Sequence, residues 1–168
     1  TAAQTITTLL VFNKTAIGFW HYSAQFDAVD GLGASRHSQG AYVLAERTLL
    51  LENGHPSQGL AGFIRFGVAS EKVNIADWTG SIGLRYHGLI NDRDDDIAGL
   101  AVTVNHAGDS YRYANSSERQ EVDVEATYRA QITPYFAVQP TLQFIDNPSM
   151  DSTINNAWIV GSRFEVEF

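Results

Sequence analysis

The sequence predicts an all-β fold, an antiparallel transmembrane β-barrel of which this chain forms a part. Three observations predict it: apolar and polar residues alternate along most of the chain, the alternating segments are long, and aromatic residues gather near their ends. A period of two puts successive side chains on opposite faces of a strand. The 3 Trp, 7 Tyr and 9 Phe also favour strands, and proline, which interrupts them, is scarce at 4 beside 14 glycines.

The clearest strand runs from Glu121 to Ile132, where Glu, Asp, Glu, Thr, Arg and Gln alternate with Val, Val, Ala, Tyr, Ala and Ile. Gly40–Leu51 alternates least cleanly, because it puts either Glu46 or Arg47 on its apolar side. No helical period and no domain linker is visible. The other predicted strands are Thr5–Phe12, Thr15–Asp27, Leu60–Ser70, Asp77–Gly88, Ile97–His106, Phe136–Ile145 and a last one from Trp158 to Phe168.

These nine strands have about 8 to 14 residues each, whereas strands of soluble proteins average about five or six. Strands that cross a bilayer need about nine to eleven residues. With Phe168 on the periplasmic side, the predicted extracellular loops are Ala28–Gln39, Glu71–Ala76, Ala107–Glu118 and Asp146–Asn156. The predicted periplasmic turns are Asn13-Lys14, Glu52–Gly59, Leu89–Asp96 and Thr133–Tyr135.

Aromatic residues on the apolar face fall at two levels, as the two interfaces of a bilayer require. The predicted extracellular girdle contains Trp78, Trp158, Phe26 and Phe144, and the periplasmic girdle contains Tyr86, Tyr128, Phe136 and Phe168.

Two other folds fit the alternation of apolar and polar residues. One is a soluble β-sandwich that serves as a binding module. The other is a closed eight-stranded outer-membrane barrel with a structural or adhesive role, in which residues 1–13 form only an arm.

Composition and motifs argue against several functions. The net charge of −8 argues against a nucleic-acid partner. The chain has no cysteine, and its five histidines lack the close spacing of metal ligands, so we expect neither a metal site nor a cofactor. The acidic run Asp92–Asp96 lacks the glycine and glutamate of a calcium loop, and we expect Arg93 to pair with Asp95. No nucleophile motif is present, so an enzyme is not predicted.

The stretch EATYRAQITPYFAVQPTLQFIDNP, from Glu125 to Pro148, resembles the C-terminal signature of the carbohydrate-selective (OprB-type) porins. The residues that carry this likeness are Glu125, Tyr128, Thr133, Pro134, Tyr135, Gln139, Pro140, Gln143, Phe144 and Pro148. Tyr135 stands where the family more often has Trp. Upstream, Gly40–Glu46 and the segment that begins at Asp77-Trp78 are also similar to the family, so that the likeness runs from Gly40 to Phe168.

The resemblance implies that residues 1–168 are the C-terminal portion of a single porin barrel domain with about sixteen strands. Nine strands is an odd count, and bacterial single-chain barrels have even counts, which also indicates a part of a barrel. The implied location is the bacterial outer membrane, and the implied function is passive diffusion of sugars. The expected partners are sugars, outer-membrane lipid and the barrel-assembly machinery, which reads the Phe168 end. A homotrimer is left open.

The polar face of the strands supplies the residues that would line the pore. Donors and acceptors of both signs suit a neutral solute that must bind weakly and leave again. We predict that the narrowest part of the lumen is lined by Glu46, Arg65, Arg85, Glu125 and Arg163, with His21 and Gln139 beside them. The alternative is that these groups pair across strands and only brace the wall. Pro140 cannot donate to a neighbouring strand, so it predicts a bulge or a local break in pairing.

Overall fold

The computed structural model describes residues 13–33 and 36–168. They form a single antiparallel sheet of eight strands in chain order. The strands are β1 (Asn13–Phe26), β2 (Arg36–Glu52), β3 (His55–Ala69), β4 (Ala76–His87), β5 (Ile97–Ala107), β6 (Gln120–Thr133), β7 (Phe136–Asp146) and β8 (Ala157–Val166). Every strand from β1 onward corresponds to a predicted one, and the predicted strand Thr5–Phe12 lies outside the described residues.

The cross-strand register separates the two faces of the sheet. Residues directly opposite each other share a face, and two neighbouring rows illustrate the division. The row on the polar face reads Glu46, Phe63, Gly83, Ala101, Glu125 and Gln143 from β2 to β7. The row on the apolar face reads Ala45, Ile64, Ile82, Val102, Val124, Phe144 and Trp158 from β2 to β8.

The apolar face is open to the surroundings. Ile17 is 81% exposed and Phe19 89%, and many other large apolar side chains on this face are exposed as well. The buried apolar residues of the described part, none more than 9% exposed, are only Ala28, Ala61, Ala107, Ala137 and Met150. A soluble sandwich would cover such a face with a second sheet, and the described residues provide none. They also do not pair β1 with β8, as a closed eight-stranded barrel would require.

Three of the predicted connections differ from the structure. Asn13 and Lys14 do not form a turn; they belong to β1, opposite Arg47 and Glu46. The predicted turn Glu52–Gly59 is only Asn53-Gly54, because strand pairing continues on both sides of it. The loop Ala107–Glu118 contains a helix, α1 (Asp109–Asn115), although the sequence showed no helical period. At seven residues, α1 is too short to display one.

No helix among the described residues is long and apolar enough to cross a membrane.

The connections at one end of the sheet are joined to each other by hydrogen bonds. A chain of backbone hydrogen bonds, each 2.9 Å long, links the four predicted extracellular loops in order. These bonds run from Val29 N–H to Lys72 O, from Gly108 N–H to Ile75 O and from Glu118 N–H to Met150 O. The loops therefore form a connected rim.

Pro140 interrupts the pairing of β6 with β7. Pairs are formed up to Thr127–Thr141 and resume at Ala130–Val138, so that Tyr128 and Arg129 are left unpaired with β7. The register is the same on both sides of the gap, so the predicted break in pairing is confirmed and no bulge occurs at this position. The missing donor of proline accounts for the break.

Candidate functional site

The centre of the polar face carries an ion pair beside an aromatic ring. Arg65 Nη2 lies 3.5 Å from Glu46 Oε1, and the two side chains are 58% and 26% exposed. The Arg65 guanidinium also lies 4.8 Å from the centroid of the Phe63 ring, within the range of a cation–π contact. Because the pair is long and its arginine is largely exposed, it contributes little to stability. Both groups can exchange this contact for one with a solute.

Phe63 lies on this polar face because of the register of β3. It stands directly opposite Gly83 on β4, and a Cβ atom at Gly83 would collide with the Phe63 ring. Glycine at position 83 therefore allows the ring to lie against the wall. The sequence analysis did not select Phe63, although it is two residues before Arg65 and hence on the same face of the strand.

Two adjoining cavities lie along this part of the wall. The first, of about 230 Å³, is lined by Glu46, Ala61, Gly62, Phe63, Arg65 and Arg85. The second, of about 330 Å³, is bordered by Phe63, Arg85, Glu125, Thr127, Arg129 and Gln139, among others. Phe63 and Arg85 line both cavities.

The structure brings together five of the seven predicted lumen residues. Glu46, Arg65 and Arg85 surround the first cavity, and Arg85, Glu125 and Gln139 border the second. Arg163 lies on the same face, opposite Gln139, but on the last strand β8 and outside both cavities.

The predicted lumen position of His21 is wrong. His21 lies opposite Gln39 and shares the face of Phe19, which is the apolar one. Its Nδ1 is 3.3 Å from Gln39 Oε1, and its ring is 5.5 Å from the ring of His37. Aromatic side chains occur on both faces of β1: Phe19 shares the face of His21, whereas Trp20 lies on the other face, opposite Gly40. Alternation within β1 therefore does not identify which of its two faces lines the lumen.

A second polar group braces the wall across three strands. Arg129 on β6 reaches Glu165 on β8, with Nη2 and Nε at 2.8 and 2.9 Å from Oε2. Its Nη1 donates to Gln131 Oε1 at 2.7 Å. The intervening strand contributes Ala137, which is 1% exposed and stands opposite both Gln131 and Glu165. Its small side chain leaves room for the arginine to cross β7.

The connection between β4 and β5, residues 88–96, is held by one buried carboxylate. Asp96 is 2% exposed and accepts hydrogen bonds from Arg93 Nε at 2.7 Å, Tyr128 OH at 2.5 Å and the Gln131 N–H at 2.8 Å. The predicted pairing of Arg93 with Asp95 is therefore wrong, because Arg93 pairs with Asp96. Burial alone raises the pKa of Asp96, but the three hydrogen bonds outweigh it and hold that pKa below its usual value.

No three His, Asp or Glu side chains converge as a metal-ligand cluster within the described residues. The features that do stand out are one sheet of strands 10 to 17 residues long, an exposed apolar face and a charged opposite face. Strands of this length with this division of faces are typical of the wall of an outer-membrane β-barrel.

Comparisons with known proteins agree with this class. Residues 14–168 match the family described as "Carbohydrate-selective porin, OprB family". The chain belongs to this family, and the match extends the likeness seen in the sequence toward the N-terminus. It is accordingly assigned to the bacterial outer membrane.

Two curated proteins are similar to the chain over part of their length. Porin B of Pseudomonas aeruginosa is 24% identical over 183 residues, which cover 90% of this chain and 40% of that protein. The putative porin QuiX of Acinetobacter baylyi is 23% identical over 156 residues, which cover 80% and 35%. The chain thus spans less than half the length of these relatives.

Two solved structures of Pseudomonas putida OprB share the fold. The high-pH structure has a TM-score of 0.85 at 23% identity and covers 93% of this chain and 44% of the OprB chain. The low-pH structure has a TM-score of 0.61 at 24% identity and covers 92% and 47%. The predicted barrel wall is confirmed by this likeness.

Proposed function

We propose that residues 1–168 form the C-terminal portion of a porin barrel through which sugars diffuse passively across the outer membrane. The observation that carries the proposal is the mixed-sign wall around Phe63, where Glu46, Arg65 and Arg85 surround one cavity. Carboxylates accept and guanidinium groups donate, so that the wall offers both acceptors and donors to the hydroxyl groups of a sugar. Such contacts must be weak enough for the solute to leave, and diffusion then needs no catalytic step.

The polar face is the lumen surface in this proposal, and lipid covers the apolar face. The constriction residues are Glu46, Arg65, Arg85, Glu125 and Arg163, with Gln139 beside them. Because charges of both signs occur, a neutral solute is held without strong selection among ions. His21 is not part of this set, since it shares the face of Phe19.

The remainder of the barrel pairs with the edges of β1 and β8 in this proposal. Within the described residues both edges lack a neighbouring strand, and the chain corresponds to 44% of an OprB chain of the same fold. An unpaired edge cannot stay in the hydrocarbon region of a membrane, because its backbone groups would be unsatisfied. Recognition of the Phe168 end by the barrel-assembly machinery and formation of a homotrimer stay predictions.

The experiment is sugar permeation through the full-length protein that contains this chain, reconstituted in liposomes. Arg65→Ala and Arg85→Ala are compared with Arg47→Ala, which removes the same charge. Arg47 follows Glu46 in β2 but lies on the opposite face, where it donates to Lys14 O and Thr15 Oγ1.

We expect the two lumen variants to change the ratio of glucose flux to ion conductance by about tenfold, the effect of one lost charge-assisted hydrogen bond. Arg47→Ala is expected to behave as the wild type. If all three variants match the wild type, the arginines only brace the wall. If the wild-type protein passes ions but no glucose, the proposed function is wrong.

A further inference from the structure

Arg47 carries a positive charge on the apolar face of the wall. It is exposed and stands in the same row as Leu84. Its Nη1 donates to the carbonyl oxygens of Lys14 and Glu46 at 3.2 and 3.1 Å, and its Nη2 donates to Thr15 Oγ1 at 2.9 Å. All three acceptors are neutral, so these hydrogen bonds orient the guanidinium without neutralising its charge.

No carboxylate among the described residues pairs with this arginine. The remaining parts of the chain, residues 1–12 and 34–35, contain no Asp or Glu. A guanidinium has five N–H groups, and the three contacts leave the Nε–H and one N–H of Nη2 without an acceptor in the described part. Two donors on neighbouring nitrogens of an uncompensated cation suit a phosphate, which accepts through two oxygens.

The depth of this charge in the membrane follows from the tilt of the strands. Trp158 on β8 shares a row with Ile82 on β4, and Trp78 stands four residues before Ile82. If Trp78 and Trp158 lie at one level, as predicted for the extracellular girdle, that level rises by four residues, about 14 Å, over four strands, about 19 Å. The inclination of about 35° agrees with the tilt of barrel strands, which is ~35–45°.

The same inclination relates Arg47 to the periplasmic girdle. From β4 to β2 the level shifts by one residue per strand, toward the extracellular end. Tyr86 of the predicted periplasmic girdle stands two residues after Leu84, whose row contains Arg47. Arg47 on β2 and Tyr86 on β4 therefore share one level, where the headgroup region of the periplasmic leaflet begins. An arginine at this level can reach a headgroup while its stem stays against apolar surface.

The wall between Arg47 and the centre of the bilayer is apolar. The next row on this face contains Ala45, Ile64 and Ile82, and the two isoleucines are 55% and 61% exposed. They offer contact surface to an acyl chain that extends from a phosphate at the guanidinium. Charge at the headgroup level and apolar surface above it are together the chemistry of a phospholipid.

We propose that Arg47 binds an anionic phospholipid of the periplasmic leaflet, with the lipid phosphate on Nε and Nη2 and an acyl chain along Ile64 and Ile82. The uncompensated charge favours a lipid with net negative charge over a zwitterionic one. The inference goes beyond the proposed function, because it requires the outer-membrane location of the chain and no particular solute in the lumen.

The test is native mass spectrometry of the full-length protein in detergent, titrated with phosphatidylglycerol and, separately, with phosphatidylcholine of the same acyl chains. Arg47→Ala removes the charge, and Arg47→Lys keeps the charge but loses the two-donor geometry. Arg36→Ala is the matched control, because Arg36 is an exposed arginine at the other end of β2. Gel mobility before and after heating checks that each variant folds.

We expect the wild type and Arg36→Ala to bind one phosphatidylglycerol more tightly than any phosphatidylcholine. Arg47→Ala should weaken this binding about tenfold, the effect of one lost charge-assisted hydrogen bond, and Arg47→Lys should weaken it less. Unchanged phosphatidylglycerol affinity in Arg47→Ala would overturn the inference. It would also be overturned by a lipid-free wild-type oligomer that Arg47→Ala separates into monomers, because this face would then be an interface between copies. A wild-type channel that passes no glucose would refute the proposed function alone.

Discussion

Replacing Asp96 by Asn should loosen the connection between β4 and β5 from the sheet. The carboxylate receives three donors, from Arg93, Tyr128 and the backbone of Gln131, and it is almost fully buried. The amide of Asn accepts through one oxygen only, and its NH₂ group is directed at donors that it cannot satisfy. The substitution thus removes a charge and leaves buried donors without an acceptor.

The size of the expected loss of stability follows from the hydrogen bonds that Asp96 accepts. A hydrogen bond to a charged group contributes about 1.5–3 kcal/mol to stability. Arg93 is 38% exposed, so its share is reduced by solvent, whereas the bonds from Tyr128 and Gln131 are better shielded. We expect Asp96→Asn to lower the free energy of unfolding by about 2–4 kcal/mol.

The measurement is urea unfolding of the full-length protein in lipid vesicles, followed by tryptophan fluorescence. Asp95→Asn is the matched control, because Asp95 is an exposed neighbour with the same charge. The slope of the transition should stay constant while the midpoint of Asp96→Asn falls. Equal midpoints for the two variants would refute the assigned role of the buried carboxylate.

The pH dependence provides an independent check. The pKa of Asp96 in the folded protein is held below the ordinary value of 3.8 by the hydrogen bonds that outweigh its burial. A carboxyl group with a lowered folded-state pKa stabilises the fold above its unfolded-state pKa, and the contribution disappears as the pH falls through the folded-state value. The difference between wild type and Asp96→Asn should therefore be full at pH 7 and shrink below about pH 4.

Two further substitutions test the wall itself. Ala137→Leu puts a larger side chain beneath the bridge from Arg129 to Glu165. The overpacking should lower the free energy of unfolding by about 1–3 kcal/mol, measured by urea unfolding in vesicles. An unchanged midpoint would show that the bridge does not cross above Ala137. Gly83→Ala should displace the Phe63 ring into the lumen and lower single-channel conductance in planar bilayers; wild-type conductance would show that the ring does not lie against that glycine.

The sequence predicted the strands well where lipid or lumen surrounds both faces and poorly beyond that zone. β2 was predicted from Gly40 but begins at Arg36, and β3 was predicted from Leu60 but begins at His55. The additional residues are mostly polar on both sides, as expected where a strand leaves the hydrocarbon layer and both faces are hydrated. Backbone pairing continues there without the alternation that reveals a strand.

Features that depend on pairing between distant segments could not be predicted in the same way. The face of His21 follows from its pairing with Gln39 on β2, and the sequence of β1 alone does not reveal it, because Phe19 and Trp20 put aromatic side chains on both faces. The bridge from Arg129 to Glu165 requires a small residue on the strand between them, and its partners are 36 positions apart. Neither follows from the period of one strand.

Which side chains meet in the candidate site consequently depends on how the strands pair, and not on the sequence of any one strand. Along one row, Phe63, Gly83 and Ala101 lie between Glu46 and Glu125. One carboxylate therefore stands at each end of a row that holds one large ring and two small residues. No single strand contains this order, and a slip of one residue in any pairing would replace it with apolar side chains. The set of side chains in this wall therefore depends on the register of five strands together. For this reason, substitutions that shift pairing far from the cavities should change solute preference as strongly as substitutions within them.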